Sequence, residues 1–442
     1  MQDSSAGARR GASAAPITLH RSRLGNGLEI IVLENPVVPL VTVEINVHNG
    51  AYVETEAFDG LSHLYEHMFF KANEQIPDQE SYLRRTRELG MEWNGTTSEE
   101  RVNYYFTLHA SRLEEGLRFM NDAIRTPLFL PGELARELEV VIGEYDRAES
   151  DPGFHLHVAM AQKLWHRHYV RKNVIGTREV ILSATPDKMF QIQKRFYVPN
   201  NSALLIAGAV DPAAATRLAE RIFGTWAAAP DPLAQDPPPH HPPLTASSAC
   251  IVEKPVHATT LVRAWHGPST ELDREATYVA DVLSFIVGQR NSSFQRRFVD
   301  TGLATSASLH YQTLRYTGPI QVYVTTTADR FQETQQALGE EVARLGTDAG
   351  FSDDELANAK IQLEIDQVYD SERPSQLVHT LGYWWAVAGL DYYLEYADRL
   401  RRIQRRDVQD FVHQYLAGRP SVTGVLVSPE DRSRIGSVEV AA

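Results

Sequence analysis

Apolar and polar positions alternate along residues 41–47, where Val41, Val43, Ile45 and Val47 are separated by Thr42, Glu44 and Asn46. A period of two is that of a strand with one buried face. The apolar run 28–33 just before it predicts a companion strand, and both are expected to be half-buried. Leu113, Leu117, Met120 and Ile124 step at helical spacing instead. Further strands are expected at 102–108 and 203–209.

The same order of elements then recurs. Residues 251–256 and 259–265 open a second set of strands, 320–326 and 422–427 continue it, and helices fill the intervals. Ser352 and Glu355 form a capping box that predicts a helix running to about Val368. Between the two sets lies 227–248, which holds seven prolines and no apolar period, the composition of a stiff, extended connector. The expected fold is α+β, with two homologous α/β-sandwich halves of roughly 200 residues each produced by duplication. The expected domains are a flexible tail at 1–16, a first half at 17–226, the connector at 227–248 and a second half at 249–442.

Composition narrows the function. The chain has 442 residues, 43% hydrophobic and 23% charged, which is ordinary globular material and enough for more than one core. A single cysteine, Cys250, excludes an internal disulfide and any zinc site built from thiolates, so a metal here needs His and carboxylate ligands. The net charge is −14 and the basic residues are scattered, which leaves no electrostatic footprint for a nucleic acid. No run approaches the ~18 apolar residues of a membrane span. The start of the chain is rich in Ser, Ala and Gly, the make-up of a mature end left after removal of a signal peptide. The expected location is therefore the periplasm, with cytoplasm and mitochondrial matrix as alternatives.

Candidate chemistry begins at His63-Leu64-Tyr65-Glu66-His67. On a helix the two histidines lie about 40° apart and Glu66 about 60° to the other side of His63, so all three project from one face. Two neutral imidazoles suit Zn²⁺, and the carboxylate beside them can take a proton from a water on the metal. The bland alternative is a solvated helix face, although chance yields this pattern only roughly 0.04 times in a chain of this composition. A catalytic zinc wants a third protein ligand. Along 134–148, Glu137 and Glu144 differ by only ~20° around a helix, while Leu138, Val141 and Ile142 would face the core. Glu144 can then be the third ligand, and Glu137 can hold a ligand histidine's other nitrogen. Taken alone, two glutamates so spaced are more often surface charges.

His-x-x-Glu-His is the inverse of the common zinc protease motif. With it in place, the chain resembles the pitrilysin or insulinase family of metallopeptidases, and more closely the short-chain branch similar to the mitochondrial processing peptidase. Leu24-Gly25-Asn26-Gly27-Leu28 resembles the family's opening strand, and Gly60-Leu61-Ser62 leads into the motif as family members do. The segment Glu137 to Glu144 is similar to the family's third-ligand helix, and Tyr197-Val198-Pro199-Asn200-Asn201 to the segment before the last strand of the first half. The resemblance implies that His63, His67 and Glu144 bind zinc, that Glu66 is the general base, and that Glu137 supports the site. It further implies two halves that close like a clamshell around a chamber. Substrate would add as a strand at a sheet edge, here Asn94-Gly95-Thr96-Thr97. Such main-chain pairing tolerates many sequences and calls for a short or unfolded peptide.

One departure bears on activity. In complete enzymes of this family the second half, or a partner chain, supplies an Arg and a Tyr, seven residues apart, that bind substrate and stabilise the tetrahedral intermediate. Alignment puts Phe298 and Thr305 at those positions. Phe offers no donor, and a Thr hydroxyl is too short for the task. Tyr311, Arg315 and Tyr316 lie downstream as substitutes, although they are more simply cross-strand surface residues. The expectation is a zinc endopeptidase subunit that works with a homologous partner chain supplying Arg and Tyr, as a heterodimer or a homodimer. The competing class is a non-catalytic scaffold of the same family, against which stands the complete metal motif. A single-chain enzyme with four such domains would need about twice this length.

Overall fold

The computed structural model describes residues 18–165, 171–238, 242–370 and 374–440; the tail expected at 1–16 lies outside them. The first sheet contains β1 (Leu19–Arg23), β2 (Glu29–Glu34), β3 (Leu40–Val47), β4 (Glu92–Thr97), β5 (Val102–His109) and β6 (Ser202–Gly208). Its order is β1-β2-β6-β3-β5-β4, so β4 is an edge strand. The second contains β7 (Ser248–Glu253), β8 (Thr259–His266), β9 (Ser306–Tyr311), β10 (Pro319–Thr326) and β11 (Val422–Val427), in the order β7-β11-β8-β10-β9. Without β1 the two orders are the same. Each has one parallel pair, β2 with β6 and β7 with β11, and is otherwise antiparallel. The duplication is therefore visible in strand order and direction.

Three local differences from expectation have physical causes. β1 reads Leu-His-Arg-Ser-Arg, too polar for the apolar pattern to reveal, and it sits at the sheet's other edge with most of its side chains exposed. The opening strand of the second half lies at Ser248–Glu253, where pairing with β11 sets its limits, rather than at 251–256. The Pro-rich run is not wholly extended, because Pro232–Gln235 forms a short helix whose Asp231 side chain accepts from the Leu233 and Ala234 amides. Asn200 pairs with the Ala229 backbone, and Arg195 with Asp236 at 2.7 Å, which tie the connector to the first half.

β3 departs further. A half-buried strand was expected, yet Thr42, Glu44 and Asn46 are 2%, 0% and 0% exposed. The polar face is covered by the helix Pro374–Val387, which comes from the second half and packs on β3 and β6. Burying a carboxylate is costly unless it is paired. Glu44 accepts from Asn46 at 3.0 Å and from His379 of the covering helix, and Arg101 lies 3.9 Å away.

The first half contains, among other helices, α1 (Leu61–Phe69), α2 (Gln79–Leu89), α3 (Leu113–Arg125), α4 (Pro131–Ser150) and α5 (Pro152–Leu164). α3 buries Leu117, Met120 and Ile124 and packs on β3 and β5. α5 crosses to the second sheet and packs on β7 and β11, the counterpart of Pro374–Val387 crossing the other way. This exchange builds a core shared by the halves, with Ile31, Leu205, Met160 and Leu164 against Val262, Leu377, Leu381 and Val422. Each half also has a core of its own. The halves face each other like the valves of a clamshell, joined along this shared core. The capping box forms as expected: Ser352 Oγ accepts from the Glu355 amide at 3.1 Å, and Asp353–Asp370 is helical.

Candidate metal centre

α1 starts at Gly60, whose φ of 89° lies in the left-handed region. A Cβ there would stand 2.3 Å from the Ile175 carbonyl oxygen, so only glycine allows this close approach. The first turn leaves amides without intrahelical partners. Glu54 takes two of them, accepting from Gly60 at 2.8 Å and Ser62 at 2.6 Å. Burial pushes its carboxyl up to about 7, against the pull of those donors. Leu61, Leu64, Tyr65 and Met68 then go into the core. His63, Glu66 and His67 are left half-buried on the opposite face.

α4 opens on Pro131 and faces α1. Val141 is buried, and Leu138 and Ile142 pack partly buried against the core. Glu137 and Glu144 thereby come to α1. Glu144 Oε2 lies 3.6 Å from His63 Nε2 and 3.6 Å from His67 Nε2, and the three donor atoms lie within 4.8 Å of one another. Ligands 2.0–2.1 Å from a tetrahedral ion are separated by about 3.4 Å, so these separations fit one zinc better than direct hydrogen bonds.

The electrostatics point the same way. Burial, with His67 nearby, pushes His63 down to about 4 and keeps it neutral, the form that ligates. Burial also opposes charge on His67, but the hydrogen bond to Glu137 and the Glu144 and Glu66 carboxylates outweigh it and raise its pKa. A cluster that favours a positive imidazole favours a cation in its place. Glu137 Oε2 lies 3.2 Å from His67 Nδ1 and Oε1 accepts from Lys71 Nζ at 2.5 Å. Burial raises the Glu137 pKa, yet these two partners outweigh it and leave the carboxyl below its ordinary value.

Glu66 faces β4. Its Oε2 accepts from Thr97 Oγ1 at 2.7 Å, and a Cβ on Gly95 would stand only 2.9 Å from its Cγ. Burial pushes the Glu66 carboxyl up, with Thr97 and His67 pulling it down. Asn94 and Thr96 are exposed on the same edge strand. Sequence reasoning included Thr97 and Gly95 only as part of a substrate strand; their contacts with Glu66 carry no sequence signal. It missed Lys71 and Glu54 as well: Glu54 stands six residues before the N-cap Gly60, outside the positions at which a capping residue is read from sequence.

Phe298 is 0% exposed, packed 4.9 Å from Phe294 within a π-helical turn, and Thr305 gives its hydroxyl to the Thr325 carbonyl. Tyr311 gives its hydroxyl to the Pro268 carbonyl at 2.9 Å. Arg315 lies 4.0 Å from Glu271 and over the Tyr316 ring, and the backbone amides of Arg315 and Tyr316 donate to Glu100.

Two duplicated α+β halves, with two histidines and a glutamate converging beside a carboxylate and an edge strand, define the class of a clamshell metallopeptidase fold. The chain belongs to peptidase family M16, the insulinase family: residues 29–178 match "Insulinase (Peptidase family M16)" and residues 183–363 match "Peptidase M16 inactive domain". It is 23% identical over 371 residues to an uncharacterized zinc protease of Rickettsia felis, covering 83% of this chain and 87% of that one. Over 207 residues it is 28% identical to the mitochondrial-processing peptidase subunit beta of Blastocladiella emersonii, covering 46% of this chain and 43% of that one. Its fold is similar to a protease from Helicobacter pylori, with a TM-score of 0.83 at 19% identity over 93% of this chain and 99% of the other. The expected family and fold are thereby borne out. Among the described residues no helix is long and apolar enough to cross a membrane.

Proposed function

We propose that the chain is a zinc-dependent endopeptidase subunit that hydrolyses extended peptides, with His63, His67 and Glu144 holding the metal and Glu66 acting as general base. The observation that carries this reading is the convergence of three donor atoms within 4.8 Å beside Glu66. Zinc, when bound, would act as a Lewis acid toward the scissile carbonyl and acidify a water. Glu66, with Oε2 held by Thr97, would take a proton from the attacking water through Oε1 and deliver it to the leaving amine. Glu137 fixes the His67 ring through Nδ1, so that Nε2 faces the metal position, and Lys71 fixes Glu137 in turn. The substrate backbone pairs along the open edge of β4, from Asn94 to Thr97.

The proposal extends to a partner. Phe298 in the core and the committed Thr305 hydroxyl support a second half without transition-state donors. A homologous chain then supplies Arg and Tyr across the clamshell, and a periplasmic location belongs to the same reading. The domain division proposed with it is 17–226 for the metal-binding half, 227–248 for the connector and 249–442 for the second half. The test is hydrolysis of an unstructured peptide by the purified zinc-loaded chain, alone and mixed with a candidate homologous chain, with cell fractionation for location. Stimulation of ~10² to 10³, the worth of a restored oxyanion donor, is expected. Full activity alone, unchanged on mixing, would move the donors back into this chain. No hydrolysis under any mixture, with zinc bound, would favour a scaffold.

A further inference from the structure

The two sheets can be followed in step, taking Glu29 and Ser248 as equivalent starts of β2 and β7. Their registers then relate Ala203 to Val422, Asn46 to Ala264, Asn103 to Gln321 and Thr96 to His310. Gly95 and Thr97, the neighbours of Glu66, thus correspond to Leu309 and Tyr311 on β9. Facing them on the helix Arg274–Gly288 is Asp281, at nearly the spacing by which Glu66 precedes β4. The second half therefore carries a counterpart of the metal cleft, with Tyr278 and Val282 three before and one after Asp281, where His63 and His67 flank Glu66.

This counterpart is not filled in. A cavity of about 560 Å³ lies between Arg274–Gly288, β9 and Asp353–Asp370, within the size range of small-ligand sites. Most of its donors are already engaged, and His310 of the wall pairs through Nε2 with Ser308 Oγ at 2.8 Å. Tyr396 donates to Asp281 Oδ2 at 2.7 Å, Tyr311 to Pro268 O, and Ser284 to Ala280 O. Gln289 Nε2 donates to Glu355 O at 2.7 Å and Gln362 Nε2 to Asp366 Oδ1 at 2.9 Å. A carbonyl or carboxylate accepts only from the amide nitrogen, which fixes the orientation of both glutamines. Asp281 Oδ1, Gln289 Oε1 and Gln362 Oε1 accept no hydrogen bond among the described residues, and no Lys, Arg or His pairs with Asp281 there. Asn358 keeps an uncommitted amide, and Phe285, Leu309 and Ala359 add apolar wall.

A cavity whose free acceptors surround a carboxylate that no cationic side chain pairs favours a ligand that donates and carries positive charge. An ammonium has three donors and no acceptor, and an alkyl stem suits the apolar wall. We propose that this cleft binds a primary alkylammonium group with Asp281 as its counter-ion, carried by a free amine, a lysine side chain or a peptide N-terminus. Burial without a cation pushes the Asp281 carboxyl up to about 7, against the pull of Tyr396, and a bound ammonium supplies the missing charge.

Calorimetric titration of the full chain tests this without any hydrolysis, so its outcome is independent of the zinc chemistry. The probes are n-pentylammonium, N-acetyl-lysine amide and an unblocked dipeptide amide, with n-pentanol as the neutral control. Binding of at least one amine in a 1:1 ratio is expected, at least tenfold tighter than pentanol, and the tightest probe identifies the source. Asp281→Asn should weaken that amine at least tenfold while keeping an acceptor for Tyr396. Should that variant fail to fold, Gln362→Leu at the rim should weaken it several-fold. No amine binding, equal binding of pentanol, or parent-like affinity in the folded variants would overturn the assignment.

Discussion

Gly95→Ala is a one-carbon perturbation aimed at Glu66 rather than at the metal donors. The added Cβ would stand 2.9 Å from Glu66 Cγ, 3.2 Å from its Oε1 and 3.2 Å from the Asn103 carbonyl. Carbon atoms in contact prefer about 3.5–4.0 Å, so either the carboxylate or the edge strand must retreat by roughly 0.6–1 Å. A misplacement of that size costs a catalytic group up to ~10² in rate. The three atoms nearest the new methyl belong to Glu66 and Asn103 rather than to His63, His67 or Glu144. The expected result is one zinc per chain with peptide hydrolysis reduced by ~10 to 10². The assay is cleavage of an unstructured fluorogenic peptide, read as the variant-to-parent ratio, with metal analysis on the same sample. A fall in kcat would mark a displaced carboxylate and a rise in KM a displaced strand. Parent-like kcat and KM with zinc in place would refute the idea that Glu66 works from beneath this strand.

Other outcomes follow from the same geometry. Glu144→Gln keeps the size but removes the anionic donor, so the purified variant should hold far less than one zinc; full stoichiometry would place the third ligand elsewhere. Glu137→Gln should weaken zinc affinity about 10- to 100-fold, because one amide oxygen without charge replaces the two carboxylate oxygens that serve His67 Nδ1 and Lys71; unchanged affinity in a chelator competition would remove Glu137 from the site. Burial pushes the Glu100 carboxyl from its ordinary 4.5 up to about 8, so between those values the folded chain keeps a proton that the unfolded chain has lost. Stability should therefore fall as pH rises across that window, by at most ~1.4 kcal/mol per unit, and level off above it. Glu100→Gln should flatten that part of the slope in denaturant melts at pH 5 and 8, and an unaltered slope would deny Glu100 a part in it.

The helix that carries the candidate metal donors was legible because its information is local. Leu61, Leu64, Tyr65 and Met68 mark the buried face, and the residues they leave over are His63, Glu66 and His67. Glu137 and Glu144 were legible for the same reason, since one helical period puts both on one side of α4. The covered face of β3 was not, because what buries Glu44 is His379, 335 residues further along the chain. No window around Thr42, Glu44 and Asn46 can distinguish a solvated face from one covered by a distant helix. The duplication was readable as element order, while the cleft beside Asp281 needs strand register, which sequence periodicity does not supply. Thr97 and Gly95 fell between these cases: the resemblance put them on a strand, but their contact with Glu66 depends on how β4 meets α1.

The central claim is that Glu66 performs proton transfer beside a metal that it does not hold. The measurement that tests it most directly is zinc content and peptide hydrolysis of Glu66→Gln against the parent, in the same assembly. The account predicts one zinc per chain in both, with hydrolysis lowered by at least ~10²-fold in the variant. Hydrolysis near the parent rate with zinc in place would contradict it.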